Sequence, residues 1–338
     1  MNNIDKEYRK YFLVKEMLEV KRVLTAMDPL QIFKFTKHIK HKKILLTGEG
    51  SSRIFPAKKV IYDARHHNYK EMIITEGARQ SAEYNLDDYT VFIASNSGKT
   101  KESVTLIEKL KKKKHKNIIA VVAHKNTEII NNADYGYLME SGHEEAVAAT
   151  KTVIEQALFY DILFRKSNNK KLPDLDKLGN LIEQVLKSEI PEKMVNKLVS
   201  SKMIYFAGRN NGVSEELALK ANEISRKQSD YLEGTYAVHG IEEVMSPDDI
   251  IIVIDPFREE ESKIQKTLVA ELGMTVIAIS PEKTSFSTLQ IPDYGDFNPY
   301  LELAMGWNLL VETALKQGID LDHPQRARKI GNEFEQRI

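Results

Sequence analysis

Short apolar runs alternate with helical patterns along most of the chain, and few folds other than a parallel sheet covered by helices satisfy that alternation. Helical segments are expected first, at Tyr8–Leu24 and Leu30–His38. A first set of strands is then expected at Lys43–Thr47, Glu71–Thr75, Thr90–Ala94, Asn117–Ala123 and Tyr135–Leu138, with helical stretches after Ser52, Ser103 and Ala146. A helical bridge through Asp161 and a turn-prone stretch, Lys166–Asp174, lead to a second set: Met203–Gly208, Ile250–Asp255 and Thr275–Ser280. The clearest helices of that set are Ser214–Ser229 and Tyr300–Gln317.

Both sets open with strand, glycine-bearing turn and helix, at Ile44–Ser52 and at Ile204–Ser214, 160 residues apart. That distance is close to one domain length, so the expected fold class is α/β, with two doubly wound, flavodoxin-like parallel-sheet domains in tandem. Two unrelated α/β domains in one chain would look much the same. The expected boundaries are an N-terminal helical segment at 1–40, a first domain at 41–165, a linker at 166–195, a second domain at 196–320 and a C-terminal tail at 321–338.

Composition narrows the chemistry. With 49 Lys+Arg against 49 Asp+Glu, no general pull toward a phosphate backbone exists, so nucleic-acid binding is not expected and any anion must be held locally. The 338 residues contain no cysteine, which excludes disulfides, thiolate metal sites and thiol nucleophiles. Neither a signal-peptide core nor a run of roughly 18 apolar residues is present, so a cytoplasmic protein without a membrane partner is expected. Neither a metal nor an organic cofactor is expected.

Two first-half turns could hold an anion. In Thr47-Gly48-Glu49-Gly50-Ser51-Ser52, glycines let the backbone approach a ligand and a helix N-terminus follows. A dinucleotide site would need a third glycine and an acidic residue about 20 positions on, and both are missing. In Ala94-Ser95-Asn96-Ser97-Gly98-Lys99-Thr100, three hydroxyls stand at the carboxyl end of a strand, suited to phosphate oxygens. The competing reading is an ordinary helix cap made by one hydroxyl, with Glu102 completing a capping box.

In the second half, Glu216, Lys220 and Glu223 are spaced by four and then three, so they share one helix face. A solvated ion-pair stripe is the plain alternative. Against it, Leu217, Leu219, Ala221 and Ile224 leave little of this helix free for water, and a glycine-flanked His239 follows. A partly buried carboxylate near a lysine and a histidine suits acid/base chemistry.

Gly50-Ser51-Ser52, Ser95-Asn96-Ser97-Gly98-Lys99-Thr100, Glu144–Lys151 (EEAVAATK), Glu216–Ser225 (ELALKANEIS) and His239-Gly240, in this order, resemble the motifs of the double SIS (sugar isomerase) domain proteins. That family includes the isomerase half of glutamine:fructose-6-phosphate amidotransferase, phosphosugar ketose/aldose isomerases, amino-sugar phosphate deaminases and fructosamine-6-phosphate deglycases. The resemblance runs from about residue 40 to Lys329 and is specific as to family rather than substrate. It implies that Ser51 and Ser52 contact the sugar, that Ser95, Asn96, Ser97 and Thr100 surround its phosphate, and that the Val147 backbone lines the same pocket. Glu223 matches the family's base, which moves a proton between C1 and C2 through an enediol or enolamine. Lys220 matches the lysine beside it, Glu216 the carboxylate that orients that lysine, and His239, sixteen residues after Glu223, the ring-opening histidine. The tail Asp322–Lys329 looks like the family's DQPRNLAK segment, which places Lys329 on the lysine that enters the sugar site.

Departures from the family pattern are specific. The usual SQSGET reads SNSGKT, with Lys99 in place of an acid, and Gly234–Val238 replaces the amidotransferase's GELK, so the nitrogen end of the substrate is expected to be handled differently. Glutamine hydrolysis needs an N-terminal cysteine nucleophile and about 200 further residues, so amidotransferase activity is not expected of this chain. The implied function is a phosphosugar isomerase, deaminase or deglycase acting at C1/C2 of an amino sugar phosphate or fructosamine phosphate. The implied assembly is a homodimer with a shared active site, because in the relatives the histidine loop reaches a neighbouring subunit. The alternative is a non-catalytic phosphosugar sensor, which would keep the phosphate loop and lose the acid/base set.

Overall fold

The computed structural model describes Met1 and residues 4–326. It divides into two compact α/β units, one formed by residues 22–145 and 149–176, the other by residues 1–21, 146–148 and 177–325. Helices at the N-terminus are accordingly shared out between them.

In the first unit, β1 (Lys43–Gly48), β2 (Met72–Gly77), β3 (Tyr89–Ser95), β4 (Ile118–Val122) and β5 (Tyr135–Leu138) form one sheet in the order β2-β1-β3-β4-β5. Every pairing is parallel. Side chains alternate across a strand, so Leu45, Val91, Ile93, Ile118, Ala120 and Val122 build one core with the Lys101–Lys112 helix. Phe92, from the other face, packs against Phe159, Tyr160 and Phe164 of the Lys151–Ser167 helix. Both faces of the inner strands are covered, which is why β1, β3 and β4 read as apolar runs.

The second unit repeats this plan. Its strands are β6 (Met203–Gly208), β7 (Gln228–Glu233), β8 (Ile250–Ile254), β9 (Thr275–Ser280) and β10 (Ser287–Gln290). Their order, β10-β9-β8-β6-β7, read from the other side is the same flavodoxin-like 2-1-3-4-5 arrangement. All of these pairings are parallel as well. One detail recurs at atomic level. A Cβ on Gly48 would stand 2.7 Å from the Ala94 carbonyl oxygen, and a Cβ on Gly208 would stand 2.3 Å from that of Ile254. At the end of the first strand of each sheet, only glycine allows the neighbouring strand's carbonyl this close.

Three sequence expectations need correction. The Tyr8–Leu24 helix is three short ones, Lys6–Arg9, Phe12–Leu18 and Val20–Ala26, the first break falling where Tyr11 is extended (φ −93°, ψ 132°). Leu30–His38 is a short helix, Pro29–Phe33, continued by a 3₁₀ turn to His38. The Ser214–Ser229 helix is α-helical only over Val213–Lys220; a π turn covers Ala221–Ser225, left-handed Arg226 (φ 53°) ends it, and strand β7 begins at Gln228. Strands β7 and β10 escape an apolar reading because each is an edge strand whose one buried residue, Leu232 or Leu289, stands among mostly polar ones.

Ionisable side chains also lie inside both units. In the first, Lys59 Nζ stands 2.8 Å from Asp63 Oδ2 and 2.6 Å from Asp161 Oδ2, and Arg165 completes the cluster through Asp63; all four side chains are almost fully buried. In the second, Glu302 of the Asn298–Lys316 helix is 2% exposed. Burial, reinforced by Asp255 and opposed by Arg209, pushes its carboxyl up from 4.5 to about 8. Between those two values the unfolded chain loses this proton while the folded chain keeps it, so Glu302 withdraws stability as pH rises, by on the order of 3 kcal/mol from pH 5 to pH 8. Glu302→Gln is therefore expected to gain thermal stability over the parent protein at pH 8 and much less at pH 5. Melting curves at the two pH values check this, and an equal difference at both would contradict it.

Candidate active site

The hydroxyl-rich turn lies at the carboxyl end of β3, where the strand order of the first sheet reverses. Its internal bonds are definite. Ser95 Oγ stands 2.8 Å from Thr100 Oγ1 and accepts from the Gly98 amide at 3.0 Å, while Ser97 Oγ accepts from the Lys99 amide at 3.2 Å. Thr100 is the N-cap of the Lys101–Lys112 helix but makes no side-chain cap bond. The hydroxyls thus shape the turn rather than cap the helix, and the first helical amides remain free of a side-chain cap.

Asn96 is held from below. Glu144, fully buried, accepts from Asn96 Nδ2 at 3.2 Å through Oε2 and from the Thr152 hydroxyl at 2.6 Å, and through Oε1 from the Thr150 amide at 2.8 Å. Sequence reasoning placed Glu144 in a motif without a role; a carboxylate flanked by threonines six and eight residues on was the available signal. Ser51 and Ser52 belong to a 3₁₀ turn, Gly50–Ser52, that leads into the Ile54–His66 helix, Ser51 buried and Ser52 partly so. Beside them, burial raises the Glu49 carboxyl, against the Arg79 amide that donates to it at 3.2 Å. Val147 is half-buried between buried Ala146 and Ala148, a segment that groups with the second unit, where the Ala146 amide donates to Glu16 Oε2 at 3.3 Å.

The second unit brings Glu216, Lys220 and Glu223 together. Lys220 Nζ is fully buried, 2.7 Å from Glu223 Oε2 and 3.4 Å from Glu216 Oε1. Glu216 is fully buried too, and the Glu223 side chain keeps 26% of its surface exposed. A solvated stripe is thereby excluded: one ammonium sits between an interior carboxylate and one that reaches the surface. The α-to-π change falls between Lys220 and Glu223, a departure from regular helix common at functional positions. Asn222 Nδ2 and Ser229 Oγ both donate to the Ala218 carbonyl, at 3.2 and 2.6 Å, and Ser225 Oγ donates to that of Ala221 at 2.9 Å, so the turn's rearranged carbonyls are answered by side chains.

His239 is exposed, on a loop pinned by buried Ala237 and Val238. Among the described residues, no hydrogen bond or ion pair joins its imidazole to the Glu216–Lys220–Glu223 set. Lys329 lies outside the described residues. A cavity of about 440 Å³ opens at the β5 edge of the first unit, between Phe35, His38 and Tyr135, and none of the expected site residues lines it.

Comparison with known proteins bears on the family and the fold. Residues 38–166 match the SIS domain family model. The chain is 26% identical over 341 residues to the glutamine–fructose-6-phosphate aminotransferase [isomerizing] of Methanocaldococcus jannaschii, which covers 94% of this chain. It spans only 31% of that protein's length and 58% of its Methanococcus maripaludis counterpart's. Among solved structures, the C-terminal domain of glucosamine-fructose-6-phosphate aminotransferase from Francisella tularensis matches with a TM-score of 0.77 at 20% identity, covering 95% of this chain and 100% of that one. Glucosamine-6-phosphate deaminase from Thermotoga maritima gives 0.76 at 20% identity, over 96% of this chain and 99% of that one. Residues 38–166 are thus an SIS domain, and the chain as a whole resembles the double-SIS phosphosugar proteins in the order of its motifs and in its two flavodoxin-like sheets.

Proposed function

We propose that this protein is a phosphosugar enzyme that acts at C1/C2 of an amino sugar phosphate or fructosamine phosphate, isomerising it or releasing its nitrogen. The observation that carries the proposal is the second-unit ion triad, in which buried Lys220 is fixed by Glu216 and paired at 2.7 Å with the accessible carboxylate of Glu223. A buried ammonium without both partners would be costly, so the pairing pre-organises a base and an electrophile side by side. Glu223 takes the proton from one carbon and returns it to its neighbour, and Lys220 compensates the charge that develops on the adjoining oxygen or nitrogen. His239 opens the sugar ring, and the Ser95–Thr100 turn, with Ser51 and Ser52, holds the phosphate through hydroxyls and amides. Val147 and Lys329 complete the sugar contacts, and the working assembly is a homodimer.

The test is an incubation of the protein with glucosamine 6-phosphate, a galactosamine or tagatose phosphate, and a fructosamine 6-phosphate adduct, with assays for ammonia, free amino acid and ketose. Turnover of any one supports the proposal and sorts deaminase, deglycase and isomerase. Binding of these compounds without product would replace it with the sensor reading.

A further inference from the structure

The carboxyl edge of the second sheet has a cavity of its own. About 430 Å³ in volume, it lies where the β6, β8 and β9 ends meet, at Arg209, Asp255 and Ser280. That is the switch point of this sheet, topologically the place that the Ser95–Thr100 turn occupies in the first. The volume suits a small ligand of sugar size.

Its chemistry is the reverse of the first unit's. Where β3 is followed by Ser95-Asn96-Ser97-Gly98-Lys99-Thr100, β8 is followed by Asp255-Pro256-Phe257-Arg258-Glu259-Glu260-Glu261, and phosphate-binding hydroxyls give way to carboxylates. Both arginines of the wall are already engaged, Arg209 with Asp255 at 2.6 Å and Arg258 with Glu282. Among the described residues, no ion pair joins Glu259, Glu261 or Asp293 of the wall to a basic side chain.

One buried carboxylate of the wall strengthens this excess. Glu261 is 7% exposed; its Oε2 accepts from the Ser285 amide and hydroxyl at 2.8 and 2.6 Å, and its Oε1 has no partner among the described residues. An unanswered carboxylate oxygen in an acidic wall calls for a positive charge in the cavity. Among the described residues, no group of three or more His, Asp or Glu is placed to hold a metal ion, which favours an organic cation. Ser280, Thr284 and Asn298 add neutral hydrogen-bonding groups to the wall.

We infer that this cavity is a second ligand site, one that takes a small hydroxylated primary amine, with its ammonium on the Glu261–Asp293 side. The inference does not depend on the phosphosugar proposal, whose anion site is in the other unit.

Calorimetric titration of the whole chain with glucosamine and ethanolamine, in saturating glucose 6-phosphate, tests it; glucose and inorganic phosphate serve as controls. Glucosamine is expected to bind at least about tenfold more tightly than glucose, and Glu261→Gln and Asp293→Asn are each expected to weaken it by about tenfold or more. Phosphosugar turnover, if present, should survive both substitutions. Equal binding of glucose and glucosamine, no binding of either amine, or amine binding untouched by both substitutions would overturn the inference. Should a variant fail to fold, the glucosamine-against-glucose comparison on the parent protein still decides.

Discussion

Glu223→Gln is expected to slow proton exchange between C1/C2 of the bound phosphosugar and solvent by roughly 10²- to 10⁴-fold, the usual contribution of a positioned general base. Glutamine keeps the length of the side chain and an oxygen that can still accept from Lys220, 2.7 Å away in the parent structure. Lys220 keeps its pairing with buried Glu216, so the neutralisation should cost some stability and still leave the protein folded. In the proposed mechanism the first unit holds the phosphate, so phosphate binding should not change. Deuterium incorporation from heavy water, followed by NMR, measures the exchange, and inorganic phosphate titration measures the binding. Undiminished exchange in the variant would remove Glu223 from the mechanism. Lys220→Met is a contrasting case, because it leaves fully buried Glu216 without its ammonium and so should lower stability as well as rate.

A second large effect is expected far from any chemistry. Lys59→Met should destabilise the first unit by about 3–5 kcal/mol, since it removes one member of a buried two-plus, two-minus cluster and leaves an excess carboxylate in the interior. Burial already raises the Asp63 carboxyl, with Asp161 adding to the effect and Lys59 and Arg165 holding it back. Removing a charge of each sign restores neutrality, so Lys59→Met/Asp161→Asn should cost clearly less than the two single substitutions added together. A thermodynamic cycle over the four proteins, read by denaturant unfolding, measures the difference. Strict additivity would mean that Lys59 and Asp161 do not depend on each other.

The fold was legible because burial on both faces of a parallel sheet writes itself into sequence as apolar runs: eight of the ten strands, from β1 to β9 without β7, stand where those runs place them. Strands β7 and β10 are mostly polar in composition and carry no such signal. The end of the Val213–Lys220 helix was hidden for a related reason, since its apolar positions continue through the π turn to Ile224 and only the left-handed Arg226 breaks the pattern. Within the candidate site, the spacing of Glu216, Lys220 and Glu223 announced a shared face, which the ion pairs realise. Spacing could not say which carboxylate is interior and which reaches the surface. Nor could it show that Glu144 supports Asn96 from 48 positions away, because that contact is made by the return of the chain after β5.

The two polar edge strands have a further consequence, for solubility. A sheet edge offers a row of unpaired amides and carbonyls to any passing strand, and parallel sheets, which assemble slowly, leave such edges open for longer during folding. In the second sheet these edges are Gln-Ser-Asp-Tyr-Leu-Glu and Ser-Thr-Leu-Gln, one carrying two acids and the other only four residues long. The polarity that conceals β7 and β10 from an apolar reading is what makes them poor templates for intermolecular pairing, so the interior β8 and β9 are flanked by strands unsuited to aggregation.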